Sequence, residues 1–209
     1  MDQAHSPETF RIPSPEESRL PQESAARKDA PTGAQIRARI RQNVIMLCMF
    51  TIVYLVPIGL ASSMRMRLLA IGIFLAVLIV GSAIALTGTP SRRIPTSRAE
   101  KCVGLTAFGE SIAAIVGLIV GFVTGNWWPF GVLLLGSVAL HFISLAVAFF
   151  RRADYIAIAC IFISLTMAIV NPLETLWDSW AIAGALAAAS TAMYVIVIGR
   201  SLRHSNSSS

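Results

Sequence analysis

The chain is divided into six apolar runs, at about 43–61, 68–86, 102–124, 130–150, 155–171 and 181–199. A helix needs about 20 apolar residues to cross the roughly 30 Å hydrocarbon core of a bilayer. Each run is close to that length, and the fifth, the shortest, extends back to Arg152 if its polar start is helical. In lipid every backbone N–H and C=O must bond within the protein, so only helices and closed barrels span it. A barrel would show alternating segments of about ten residues, and these runs do not alternate. Composition agrees: 13% of residues are charged and the mean hydropathy is +0.68, whereas soluble domains are about one quarter charged. The expected fold is all-α: a polytopic membrane bundle of six transmembrane helices. An ordinary water-soluble enzyme and a wholly disordered chain are both excluded.

Outside the runs the chain changes character. Residues 1–34 are poor in apolar side chains and hold Pro7, Pro13, Pro15, Pro21 and Pro31, which reads as a disordered cytoplasmic tail. With no apolar core segment, that stretch is not a signal peptide. Residues 35–42 form a basic juxtamembrane segment, with Arg37, Arg39 and Arg41 between Ile36, Ile40 and Val44. Four-residue spacing lays the three apolar side chains on lipid and leaves the arginines among headgroups. Residues 43–200 are the six-helix membrane domain, and 201–209 a short cytoplasmic tail.

The net charge of +6 is distributed as a membrane-orientation signal and not as a nucleic-acid footprint. Thirteen basic residues flank one set of helix ends: Arg27, Lys28, Arg37, Arg39, Arg41, Arg92, Arg93, Arg98, Lys101, Arg151, Arg152, Arg200 and Arg203. The other set has only Arg65 and Arg67. The positive-inside bias therefore predicts a multi-pass protein of the cell membrane with both termini inside. Trp127, Trp128, Trp177 and Trp180 all fall in the two connections without Lys or Arg, which marks them as an outer interfacial belt. Asn171-Pro172-Leu173-Glu174 reads as the first positions of a helix, with Pro where its missing N–H costs nothing. Cys48, Cys102 and Cys160 match no metal or redox spacing and read as small apolar residues of helices. Tyr54 and Pro57 place a kink in the first run, which either shapes a cavity or simply packs. Ala157, Ser164, Ala168 and Asn171 on the fifth run, and Gly184, Ala188 and Ala192 on the sixth, read as packing seams.

Two ionisable side chains lie well inside apolar runs, Glu110 and His141. At the bilayer centre a charged side chain costs a few kcal/mol, so both require an explanation. Counting from the run ends at 1.5 Å per residue puts Glu110 about 12 Å deep from one face and His141 about 16 Å from the other. The short connection 125–129 makes the two helices antiparallel neighbours, with the two side chains within a turn of one level. Thr106, Ala113, Ala114, Gly117 and Gly121 share the face of Glu110, and Ser137, Ser144 and Ala148 that of His141. Such small residues allow close backbone approach. The pair is either a binding site that exchanges protons or contacts a solute, or a buried polar pair that fixes helix register.

The stretch from Glu110 to Tyr155 resembles a group of small, actinobacterial-like multi-pass integral membrane proteins. In these a membrane Glu is followed in the next helix by a Gly-x-His-Phe-x-Pro-Leu-Ala-like motif and a basic turn. The corresponding residues are Ala139-Leu140-His141-Phe142-Ile143-Ser144-Leu145-Ala146, then Phe149, Arg151, Arg152 and Tyr155. Ser144 stands where Pro is usual, and Ala139 where Gly is usual. The resemblance covers about a fifth of the chain. It implies a membrane fold with a two-residue site and brings no activity with it.

Other constellations are absent from the sequence. Gly109-Glu110-Ser111-Ile112 is similar to the rhomboid GxSG but lacks the second glycine, and the membrane His comes one helix later instead of two. One membrane His cannot supply both axial ligands of a haem within a monomer. No phosphate loop, dinucleotide fingerprint, CxxC, HExxH or potassium-filter motif occurs. The expectation is a protein without enzymatic activity, cofactor or metal, partnered by the lipid bilayer and not by nucleic acid. The leading expectation is a small transporter or permease with a proton or a small molecule as the ligand of Glu110 and His141. The alternative is a non-transporting membrane scaffold or accessory subunit.

Overall fold

The computed structural model describes residues 33–87, 97–149 and 151–206. Most of the 1–34 tail, the basic connection around Arg92 and Arg93, and the last three residues lie outside them. Six helices make up the described chain: α1 (Gly33–Leu60), α2 (Met64–Leu86), α3 (Ser97–Thr124), α4 (Trp128–Phe149), α5 (Arg152–Val170) and α6 (Leu176–Asn206). Each contains a stretch long and apolar enough to cross a membrane. No strand occurs among the described residues. The architecture is that of six apolar helices compatible with an integral membrane protein.

Gly33–Arg41, the start of α1, belongs to a unit distinct from Gln42–Ser209. The juxtamembrane residues are helical there.

Within the larger unit α6 is the central helix. Some 72% of its span is buried, against 11% for the spans of α1 and α3. Its composition explains this position. Ala181, Ala183, Ala185, Ala187, Ala188 and Ala189 are all buried at 1% exposure or less, so neighbours approach it from every side. It packs on α2, α4 and α5, and Thr51 of α1 shares a 2.8 Å hydrogen bond with its Thr191. The seams expected on α5 and α6 are in place: Ala157, Ser164 and Ala168 are fully buried. Ser164 donates within 2.8 Å of both its own Cys160 carbonyl and the Ala183 carbonyl of α6. Helix α3 packs mainly on α4. Its outer face, with Leu105, Phe122 and Val123 more than 70% exposed, is compatible with lipid contact.

Two buried carboxylates fasten opposite ends of the bundle. At one end, Asp178 accepts from the backbone N–H of Ser62 at 2.8 Å and from its hydroxyl at 2.6 Å, tying the α1–α2 turn to the start of α6. Arg67 closes the same turn by donating to the Ala61 carbonyl. At the other end, Asp154 accepts from the Arg151 backbone N–H at 2.9 Å, from the Arg151 guanidinium at 3.1 Å, and from the Tyr194 hydroxyl of α6.

Two local expectations are corrected. Asn171 does not begin a helix. It ends α5 in the left-handed conformation at φ 47°, with its N–H on the Met167 carbonyl. Asn tolerates that conformation, and Pro172 cannot continue a helix. The start of α6 is set by Thr175, whose hydroxyl accepts from the Asp178 N–H at 3.1 Å. Nor do the four indoles form a uniform belt. Trp128 is exposed, but Trp180 is buried at 5%, with its ring against Gly131, where any Cβ would overlap it.

Candidate functional site

Three contacts fix the register of α3 on α4. A Cβ at Gly117 would lie 2.9 Å from the Phe130 Cα, so only glycine permits that approach. Gly121 lies under the Trp127 ring in the same way. One end further along, Thr106 Oγ1 lies 3.2 Å from His141 Nδ1 and 2.9 Å from Ser144 Oγ. Glu110 falls between these contacts and so lies level with the middle of α4 near Ser137. His141 is opposite Thr106, one helical turn away, or about 6 Å along the axis.

This corrects the expected contact between the two ionisable groups. Among the described residues, Glu110 and His141 share neither a hydrogen bond nor an ion pair. The imidazole meets the Thr106 hydroxyl instead. Ser144 donates to the His141 carbonyl at 2.8 Å, and Thr106 reaches the Cys102 and Val103 carbonyls at 3.1 Å. Each hydroxyl has one hydrogen to give. If both are used on oxygen acceptors, the Thr106–His141 contact requires the hydrogen on Nδ1. That assignment leaves the Nε2 lone pair as the basic position of the ring, with no hydrogen-bond partner among the described residues.

The Glu110 side chain is 6% exposed and has no hydrogen-bond or ion-pair partner among the described residues. It differs in this from Asp154 and Asp178, both buried and both bonded on each oxygen. On α1 the Tyr54 hydroxyl is buried and without a hydrogen-bond partner among the described residues.

The kink position of α1 does border a cavity. It has a volume of about 40 Å³ between α1, α4 and α6, among residues that include Tyr54, Pro57, Leu134 and Trp180. Neither Glu110 nor His141 lines it. No group of three or more His, Cys, Asp or Glu residues able to hold a metal occurs among the described residues. Cys48, Cys102 and Cys160 are free thiols. Comparison with protein-family models, curated proteins and solved structures finds no match for this chain.

Sequence reasoning singled out Glu110 and His141 and included Thr106 and Ser144 only as small flanking residues. Their spacing held the signal: hydroxyl side chains at Thr106, one turn from Glu110, and at Ser144, three residues from His141, can bond across a helix pair. Sequence reasoning did not single out Asp154. Nothing in the local sequence announces Tyr194, 40 residues later, as its partner.

Proposed function

We propose that this protein is a small membrane transporter in which Glu110 is the proton-exchanging and solute-contacting group and His141 Nε2 the next basic position along the path. One observation carries the reading. Glu110 is buried at mid-span without a bonding partner among the described residues, whereas Asp154 and Asp178, also buried, are bonded on each oxygen. A carboxyl retained for structure would be expected to be satisfied in the same manner, because an unsatisfied buried polar group costs roughly 1–3 kcal/mol. A carboxyl left without a bonding partner fits a group that must exchange partners. The reading is non-enzymatic and requires no cofactor.

The test is Glu110→Gln in proteoliposomes carrying a trapped pH indicator, challenged with cationic, zwitterionic and neutral solutes. Wild type is expected to move protons with at least one class, and the variant to lose that movement. Because Glu110 has no bond to lose, its unfolding temperature in detergent is expected to shift by no more than about 3 °C. Equal, non-zero proton movement by both proteins would take Glu110 out of the path, and no movement by wild type with any solute class would overturn the transporter reading. A second reading, a scaffold or accessory subunit, would then take its place, and the close packing around α6 favours it.

For orientation we propose both termini inside the cell membrane, on the thirteen-to-two basic bias. In a background without native cysteines, Asn126→Cys is expected to react with an impermeant thiol reagent applied to intact cells, and Ser205→Cys is not. The reverse pattern would invert the topology.

A further inference from the structure

At the end of the bundle where Asp154 lies, two more arginines meet. Arg152, at the start of α5, donates from Nη1 to the Thr87 hydroxyl at 3.3 Å. Arg200, in the last turns of α6, donates from Nη1 to the Leu86 carbonyl at 3.3 Å. Leu86 and Thr87 are consecutive residues at the end of α2, so two guanidinium groups from different helices are gathered around one point. Both side chains are exposed, and no carboxylate pairs with either among the described residues. The neighbouring carboxylate, Asp154, is already occupied by Arg151 and Tyr194. Each guanidinium offers five N–H donors and gives one to α2.

Gathering two cations without an anion is electrostatically unfavourable, and the carbonyl end of α2 offsets only part of that. The depth of the pair identifies the missing charge. All three spans, 64–86, 152–170 and 176–200, end or begin at these residues, which is headgroup level. Directly toward the bilayer, at helical spacing that shares a face with each anchor, lie exposed apolar side chains. These are Ile84 on α2, Tyr155 on α5 and Ile196 on α6, at 47%, 55% and 40% exposure.

We propose that Arg152 and Arg200 form a binding site for the phosphate of an anionic phospholipid, whose acyl chains run along Ile84, Tyr155 and Ile196. The site is independent of Glu110 and stands whether or not the protein transports. A free phosphate would satisfy the arginines but would gain nothing from the apolar surface beneath them.

The experiment uses the purified full chain in a neutral detergent, with unfolding temperature followed against added phosphatidylglycerol, phosphatidylcholine or inorganic phosphate. Phosphatidylglycerol is expected to raise the transition of wild type, and the other two to leave it unchanged. A basic side chain at an anionic surface contributes roughly a fivefold gain in binding. Arg152→Gln with Arg200→Gln is therefore expected to weaken the phosphatidylglycerol response about thirtyfold in concentration. Lys101→Gln, which removes an exposed charge at the start of the third span without touching α2, is expected to leave it unchanged. If the glutamine pair does not accumulate, the single variants replace it, each with about a fivefold loss. A response equal to wild type in the arginine variants would overturn the proposal. So would an equal loss in Lys101→Gln, which would indicate diffuse charge attraction, or an equal rise with inorganic phosphate, which would indicate a soluble-anion site.

Discussion

Asp154→Ala is expected to destabilise the bundle by about 3–5 kcal/mol, the range for removing one partner of a buried ion pair. In a chain of this size that lowers the unfolding temperature by roughly 10 °C or more. The size follows from what the carboxylate holds. Asp154 is fully buried and takes hydrogen bonds from the Arg151 backbone, the Arg151 guanidinium and the Tyr194 hydroxyl. Its removal leaves a half-buried guanidinium and a buried phenol without their acceptor. Arg151 also stacks over the rings of Phe149 and Tyr194, at 4.6 and 5.4 Å, and Tyr194 in turn stacks on Phe142 at 5.3 Å. The disturbance therefore reaches α4 as well as α5 and α6. Tyr194→Phe is the smaller change. It leaves the Arg151–Asp154 pair intact and should cost about 1–2 kcal/mol, as for one hydrogen bond to a charged group. The double variant should fall short of the sum, because the two side chains share one bond. Reversible unfolding in mixed detergent measures all three. Strict additivity, or an Asp154→Ala loss below that of Tyr194→Phe, would contradict the network.

The contrast between Asp154 and Glu110 also shows what a membrane sequence makes legible. The six spans are readable because hydropathy over about 20 residues is a one-dimensional property. The observed helices begin earlier than the apolar runs at Met64, Arg152 and Leu176 for a physical reason. Helices start in the interface, where polar side chains such as Ser63, Asp154 and Thr175 cap or face headgroups, whereas hydropathy registers only the lipid-facing part. Partnerships are not one-dimensional. Ser62 meets Asp178 across 116 residues, and Asp154 meets Tyr194 across 40. No periodicity encodes which helix lies beside which. Counting from span ends brings Glu110 and His141 within a turn of one level, and the structure sets them about one turn apart, but the count cannot say which side chains meet, because it ignores how the helices seat on each other. That seating is decided where Gly117 and Gly121 admit Phe130 and Trp127, and it brings His141 to Thr106. The glycine spacing was visible in the sequence, but the aromatic that each glycine receives was not.

Gly184→Leu is expected to prevent accumulation of folded protein, and even Gly184→Ala to cost about 3 kcal/mol, the upper end for overpacking. At this position on α6 a Cβ would overlap the backbone carbonyl oxygen of Tyr54 on α1. Such a clash differs in kind from that at Gly131, where the obstructing atoms belong to the Trp180 ring and a side-chain torsion can give way. A carbonyl in a helix moves only with its helix. Shifting α1 away would stretch the 2.8 Å Thr51–Thr191 bond and open the cavity between α1, α4 and α6. It would also separate Tyr54 from the buried cluster that includes Leu134 and Ala183. The control is Gly136→Ala on α4. A glycine that is not fully buried, with nothing within 4 Å of an added Cβ, should accept alanine with no loss, since alanine is the better helix former by up to about 1 kcal/mol. Expression level and monodispersity of the two alanine variants, followed by their unfolding temperatures, separate the cases. Equal behaviour of Gly184→Ala and Gly136→Ala would mean that α1 does not rest on α6 at Gly184, and the central position of α6 would need to be redrawn.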